Sequence, residues 1–130
     1  MKKKISIIVG GSGQLGNSLA TFLLKKNYKV IITTRNIKSA KKKILIKNKN
    51  LKLLKLNVLK KNEIVSILKK NNPEMIFYFA GQSSPFISFL KNKITFLSNA
   101  KGCENFLDII YQKKLNTKFL NASSCEIFAD

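Results

Sequence analysis

The sequence predicts an α/β protein built on a doubly wound parallel sheet. Two observations carry that expectation. Five short β-rich runs alternate with four longer stretches whose apolar residues recur at helical spacing. A glycine-rich turn, Gly10-Gly11-Ser12-Gly13-Gln14-Leu15-Gly16, joins the first run to the first of those stretches.

The elements follow in order. Ile5 to Val9 is apolar and β-branched, the pattern of a buried strand. Gln14 to Lys26 places Leu15, Leu19, Phe22 and Leu23 at helical spacing. Tyr28 to Thr34 is a second β-branched run. Ile37 to Leu45, rich in Lys, reads as a short helix, and Leu51 to Leu56 as a third strand. Asn62 is the expected N-cap of a helix carrying Ile64, Val65, Ile67 and Leu68, and Asn71-Asn72-Pro73 ends it. Met75 to Ala80 is continuously apolar, hence a strand buried on both faces. Gly81 to Phe89 reads as a Ser-rich loop, Asn92 to Gln112 as one long helix despite Gly102, and Thr117 to Ala122 as the fifth strand.

Residues 1–130 read as a single domain without internal linker or repeat. The hydrophobic fraction of 45% fits a globular core. No apolar run reaches membrane-spanning length. Met1-Lys2-Lys3-Lys4 before Ile5 resembles a secretory leader superficially, but the apolar part is short and runs into the glycines without a cleavage site. A cytoplasmic protein is therefore expected. The two cysteines, Cys103 and Cys125, lack any His to complete a zinc site and read as reduced thiols. With no His, Ser-His-Asp and Cys-His catalysis are excluded within this chain, leaving carboxylates, Lys, Tyr or Cys for proton transfer. The formal charge of +19 would attract polyanions, but Lys is spread over predicted helix faces and loops and is not interleaved with aromatics. Solvated faces are favoured over a nucleic-acid site.

Gly10, Gly13 and Gly16 form a G-x-x-G-x-x-G spacing between a strand and a helix. Glycine permits the tight turn and the close approach of a pyrophosphate, and the helix starting near Gln14 directs free N–H groups at it. This is the pattern of an NAD(P)-binding Rossmann fold. An NAD site usually has an acidic residue after the second strand. Here Thr33-Thr34-Arg35-Asn36 follows, and Arg35 is the only Arg in the sequence. A guanidinium suits a 2′-phosphate, so NADP is expected, with NAD as the alternative.

Four segments resemble the extended short-chain dehydrogenase/reductase (epimerase/dehydratase) family, most closely its GDP-mannose 4,6-dehydratase branch. They are Gly10 to Gly16, the Arg35 position, Phe79-Ala80-Gly81-Gln82-Ser83 with Ser88-Phe89, and Asn121-Ala122-Ser123-Ser124-Cys125-Glu126-Ile127-Phe128. The resemblance covers essentially the whole chain. It implies that Gly10, Gly13, Gln14, Leu15, Gly16, Arg35, Asn57, Val58, Ala80, Gly81 and Gln82 contact the cofactor. It implies that Ser83, Ser84 and Ser88 face cofactor or sugar, and that Ser124 and Glu126 are catalytic. Ser124 would bond the sugar hydroxyl being oxidised, and Glu126 would move a proton as water is lost. Asn99 reads as structural. The implied substrate is a nucleotide sugar, GDP-mannose foremost.

The sequence departs from the family in places. Asn57 stands where the family has Asp, and Phe128 where it has Tyr. The Tyr-x-x-x-Lys pair that the family uses as base does not occur. The chain therefore reads as the N-terminal portion of such an enzyme, inactive alone and without the substrate domain. A nucleotide-sugar epimerase or reductase, or a non-catalytic NADP-binding module, are the alternatives. Apolar surface left uncovered would favour a homo-oligomer.

Overall fold

A computed structural model describes residues 3–81 and 84–123. Five parallel strands form one sheet in the order β3-β2-β1-β4-β5, with ranges Ile5–Val9 (β1), Lys29–Thr34 (β2), Leu51–Lys55 (β3), Met75–Tyr78 (β4) and Lys118–Asn121 (β5). The helices are Gln14–Lys25 (α1), Ile37–Lys43 (α2), Lys61–Asn71 (α3), Pro85–Leu90 (α4), Asn92–Phe96 (α5) and Gly102–Gln112 (α6). The expected doubly wound sheet is present.

The strand alternation of period two divides the core between the two faces. Ile7, Val9, Ile31 and Ile76 meet Ile64 and Leu68 of α3 and Phe106 and Ile109 of α6. Ile8, Val30 and Ile32 meet Ala20, Leu23 and Leu24 of α1 and Ala40 of α2. Covering both faces explains why β1 and β2 are dominated by β-branched apolar residues. The chain passes from β3 back across β1 to β4, so strand order reverses between β1 and β4. That switch point opens a crevice at the carboxyl ends of the strands.

Three expectations are corrected. Gly81 to Phe89 is not all loop: Pro85 starts α4, its missing N–H costing nothing at a first helical turn, and the Ser84 hydroxyl accepts from the Ile87 N–H. Asn62 is not the N-cap of α3. Lys60, two residues earlier, holds the N-cap position without a side-chain cap, and the helix begins at Lys61; Glu63 in its first turn reaches back to accept the Asn57 N–H at 2.9 Å. Asn92 to Gln112 is not one α-helix: residues Leu97–Lys101 form a π turn between α5 and α6.

Candidate functional site

The glycine turn is shaped by close contacts that differ from one glycine to the next. Gly10 has φ +73°, a left-handed conformation, and a Cβ there would lie 2.5 Å from the Ala80 Cα. It lets the ends of β1 and β4 meet. Gly16 is buried, and a Cβ there would overlap the Gly11 backbone, so it seats α1 on the turn. Gly13 differs from both, since a Cβ there would meet nothing within 4 Å. It faces open space. Gly13 is also the N-cap of α1 and offers no side chain to the first helical N–H groups. Those donors, with the positive end of the helix dipole, are left for an anion. The Asn17 amide donates to the Gly13 carbonyl at 2.9 Å and the Ser12 carbonyl at 3.3 Å, which ties up the turn's acceptors. Gln14 and Leu15 are exposed on the first turn of α1.

Beside the turn lies a cleft of about 600 Å³. Gly10, Ala80 and Gly81 line it at the switch point, and Asn57 and Val58 line it after β3. Arg35 lies at its rim, exposed, between this cleft and an adjoining hollow of about 650 Å³ that also reaches Lys55 and Lys60. The Asn57 side-chain oxygen accepts from the Leu59 N–H at 3.0 Å, which orients its amide. Glu63 holds the same loop through the Asn57 N–H. That bond, aided by Lys60, keeps the Glu63 carboxyl below its usual range.

Several lining residues escaped the sequence reading. Asn36, Ser39 and Lys43 present one face of α2 to the cleft. Their spacing of three and four residues was the available signal. Ile94, Leu97 and Ser98 form the far wall. No local signal marks them, because their position depends on the π turn. Asn99 lies against Gly81, where a Cβ would come within 2.6 Å of its Oδ1.

Gln82, Ser83, Ser124 and Glu126 lie outside the described residues, as does Cys125. Ser84 caps α4, and Ser88 lies within α4. Cys103 is a buried free thiol whose pKa burial raises, so it stays protonated and a poor nucleophile. Burial, with a smaller contribution from Cys103, pushes the Tyr78 phenol well above its usual range. Among the described residues no cluster of His, Cys, Asp and Glu could hold a metal, and no helix is long and apolar enough to cross a membrane.

Known structures share this architecture. UDP-glucose 4-epimerase from Brucella ovis, solved in complex with NAD, superposes with a TM-score of 0.82 at 18% identity, covering 98% of this chain and 38% of the epimerase. Pen from Bacillus thuringiensis gives 0.86 at 21% identity, over 98% of this chain and 39% of its own. UDP-glucose 4-epimerase from Thermotoga maritima, solved with UDP-glucose, gives 0.77 at 21% identity, over 92% and 38%. The chain thus spans well under half the length of these proteins. A comparison with curated proteins found no match. The family model described as GDP-mannose 4,6 dehydratase matches residues 7–130. With that match over nearly its full length, the chain belongs to the GDP-mannose 4,6 dehydratase family.

Proposed function

We propose that the chain is the NADP-binding part of a nucleotide-sugar dehydratase, with GDP-mannose as the leading substrate. The observation that carries the cofactor reading is the contrast among the glycines. Gly10 and Gly16 are filled by neighbouring backbone, whereas Gly13 leaves open space before the uncapped N-terminus of α1. That cradle fits a pyrophosphate. From it the cleft continues toward Asn57 and Val58, suited to an adenine, and toward Arg35, suited to a 2′-phosphate.

When bound, NADP would supply hydride acceptance and return during loss of water from the hexose. The protein's residues bind and orient. Ser124 is proposed to hold the reacting hydroxyl, and Glu126 to carry the proton of elimination. The UDP-glucose bound by the Thermotoga maritima epimerase supports a nucleotide sugar as the substrate class.

Calorimetry with NADP⁺ and NAD⁺ tests the reading. Arg35→Ala should weaken NADP⁺ by about tenfold or more, the worth of hydrogen bonds to a charged group, and leave NAD⁺ within about twofold. Unchanged NADP⁺ affinity would remove the phosphate role of Arg35. Failure of the unmodified protein to bind either dinucleotide would refute the cofactor reading.

A further inference from the structure

Tyr78 is the last residue of β4 and runs directly into Phe79, Ala80 and Gly81, which line the cleft. Its side chain is 1% exposed, packed edge-on against Phe106 at 5.8 Å and tilted against Phe119 at 6.1 Å. The hydroxyl leaves this apolar cluster at one point, donating to the Ser98 carbonyl at 2.6 Å.

Ser98 belongs to the π turn, in which the Gly102 N–H reaches the Leu97 carbonyl, five residues back instead of four. A π turn is rare, and it sets the residues that follow it one place out of α-helical register. Two contacts show that this turn is packed from both sides. A Cβ on Gly102 would overlap the Tyr78 hydroxyl and lie 2.6 Å from Val58 Cγ2, so only glycine lets the helix lie this close. On the cleft side, Leu97 and Ser98 form the wall, and Asn99 lies against Gly81. The Ser98 hydroxyl donates to the Ile94 carbonyl at 3.0 Å, binding the turn to α5.

We infer that Tyr78 is a positioning residue: its hydroxyl, through the Ser98 carbonyl, fixes the π turn as the far wall of the cleft before the cofactor arrives. Phenylalanine would fill the same volume, so the hydroxyl is not required for packing. It is required to hold the part-buried Ser98 carbonyl and keep the turn from relaxing toward α-helical pairing. The wall residues Ile94, Leu97 and Ser98 carry no cation for a 2′-phosphate, so their loss of order should affect NAD and NADP alike. The inference rests on the cofactor reading above.

The experiment compares the unmodified protein with Tyr78→Phe by hydrogen exchange of amides 97–102 and by calorimetry with both dinucleotides. Exchange in 97–102 should rise while that of β2 stays unchanged. Affinity should fall for NADP⁺ and NAD⁺ alike, by roughly fivefold, as expected when the competent wall is only partly populated. This parallel loss separates Tyr78 from Arg35, whose loss is confined to NADP⁺. Gly102→Ala displaces the hydroxyl without removing it. It should weaken both dinucleotides too, and less so when added to Tyr78→Phe than alone. In the unmodified protein, amides 97–102 should already be protected without cofactor, a result that needs no variant. Unchanged exchange in Tyr78→Phe, or absent protection in the unmodified protein, overturns the tether. Raised exchange with unchanged affinities overturns the positioning role. No binding of either dinucleotide by the unmodified protein overturns the cofactor reading, and with it the cleft-wall role.

Discussion

The glycine turn yields a contrast that stability and binding measurements can resolve. Gly10→Ala places an L-residue at φ +73° with its Cβ 2.5 Å from the Ala80 Cα and 2.6 Å from the Ala80 nitrogen. The left-handed backbone costs about 1 kcal/mol. Ordinary carbon contacts begin near 3.5 Å, so roughly 1 Å of overlap with backbone must be relieved. That is overpacking at the junction of β1 and β4, worth about 1–3 kcal/mol. Restriction of the unfolded chain returns about 0.5 kcal/mol. The net loss is about 2–3 kcal/mol, a fall in melting temperature of roughly 10 °C for a chain of this size. Gly13→Ala meets open space at an ordinary φ of −82°. Its weaker capping and its smaller unfolded entropy nearly cancel, so stability should stay within about 0.5 kcal/mol. Dinucleotide affinity should nevertheless fall about tenfold or more, because the methyl occupies the phosphate's approach. Urea denaturation and calorimetry on both variants measure the two effects. Gly10→Ala as stable as the unmodified protein, or Gly13→Ala binding as tightly, would refute the assignment of one glycine to the fold and the other to the ligand.

Two further outcomes follow from single side chains. The Ser6 hydroxyl is fully buried in β1 without a hydrogen-bond partner among the described residues, so Ser6→Ala should stabilise the protein by about 1 kcal/mol; a lower denaturation midpoint would contradict this. Glu63 has its pKa lowered from 4.5 chiefly by the Asn57 N–H, so its contribution is full above that value and lost as pH falls through the lower folded-state pKa. Glu63→Gln keeps an acceptor but cannot titrate. The stability advantage of the unmodified protein over this variant should therefore be full above the unfolded value of 4.5 and shrink as the pH falls below it through the lowered folded-state pKa, and a difference that stays constant on acidification would argue against the assignment.

Much of the fold was legible in local sequence. Ile5 to Val9 and Val30 to Ile32 are rich in β-branched apolar residues because both sheet faces are covered; of the periodic residues read for α1, Leu23 is buried and Leu19 half-buried, whereas Leu15 and Phe22 are exposed. Element ends were less legible. Lys60, not Asn62, precedes α3 and supplies no side-chain cap; the Glu63 carboxylate three residues on accepts the Asn57 N–H of the preceding loop, a partner that a single polar residue does not reveal. The Gly81 to Phe89 segment hid α4 because serines and a proline signal both loops and helix starts. At the site, Arg35 was visible as a lone guanidinium after a strand, whereas Ser39 and Lys43 share a helix face by their spacing of four but were lost among the other lysines of that helix.

Sequence by itself determined the alternation of strands and helices, the glycine turn between β1 and α1, and the cation after β2. Each is encoded within a few residues by side-chain period, backbone freedom or charge. Only the tertiary structure decided the strand order that opens the cleft between β1 and β4. It also decided which glycine faces backbone and which faces open space, and why a glycine stands at the start of α6, at position 102. The physical reason is the same in all three cases. A Cβ is forbidden or allowed by atoms from distant parts of the chain, here Ala80 over Gly10 and Tyr78 over Gly102, and those approaches exist only once the sheet has assembled.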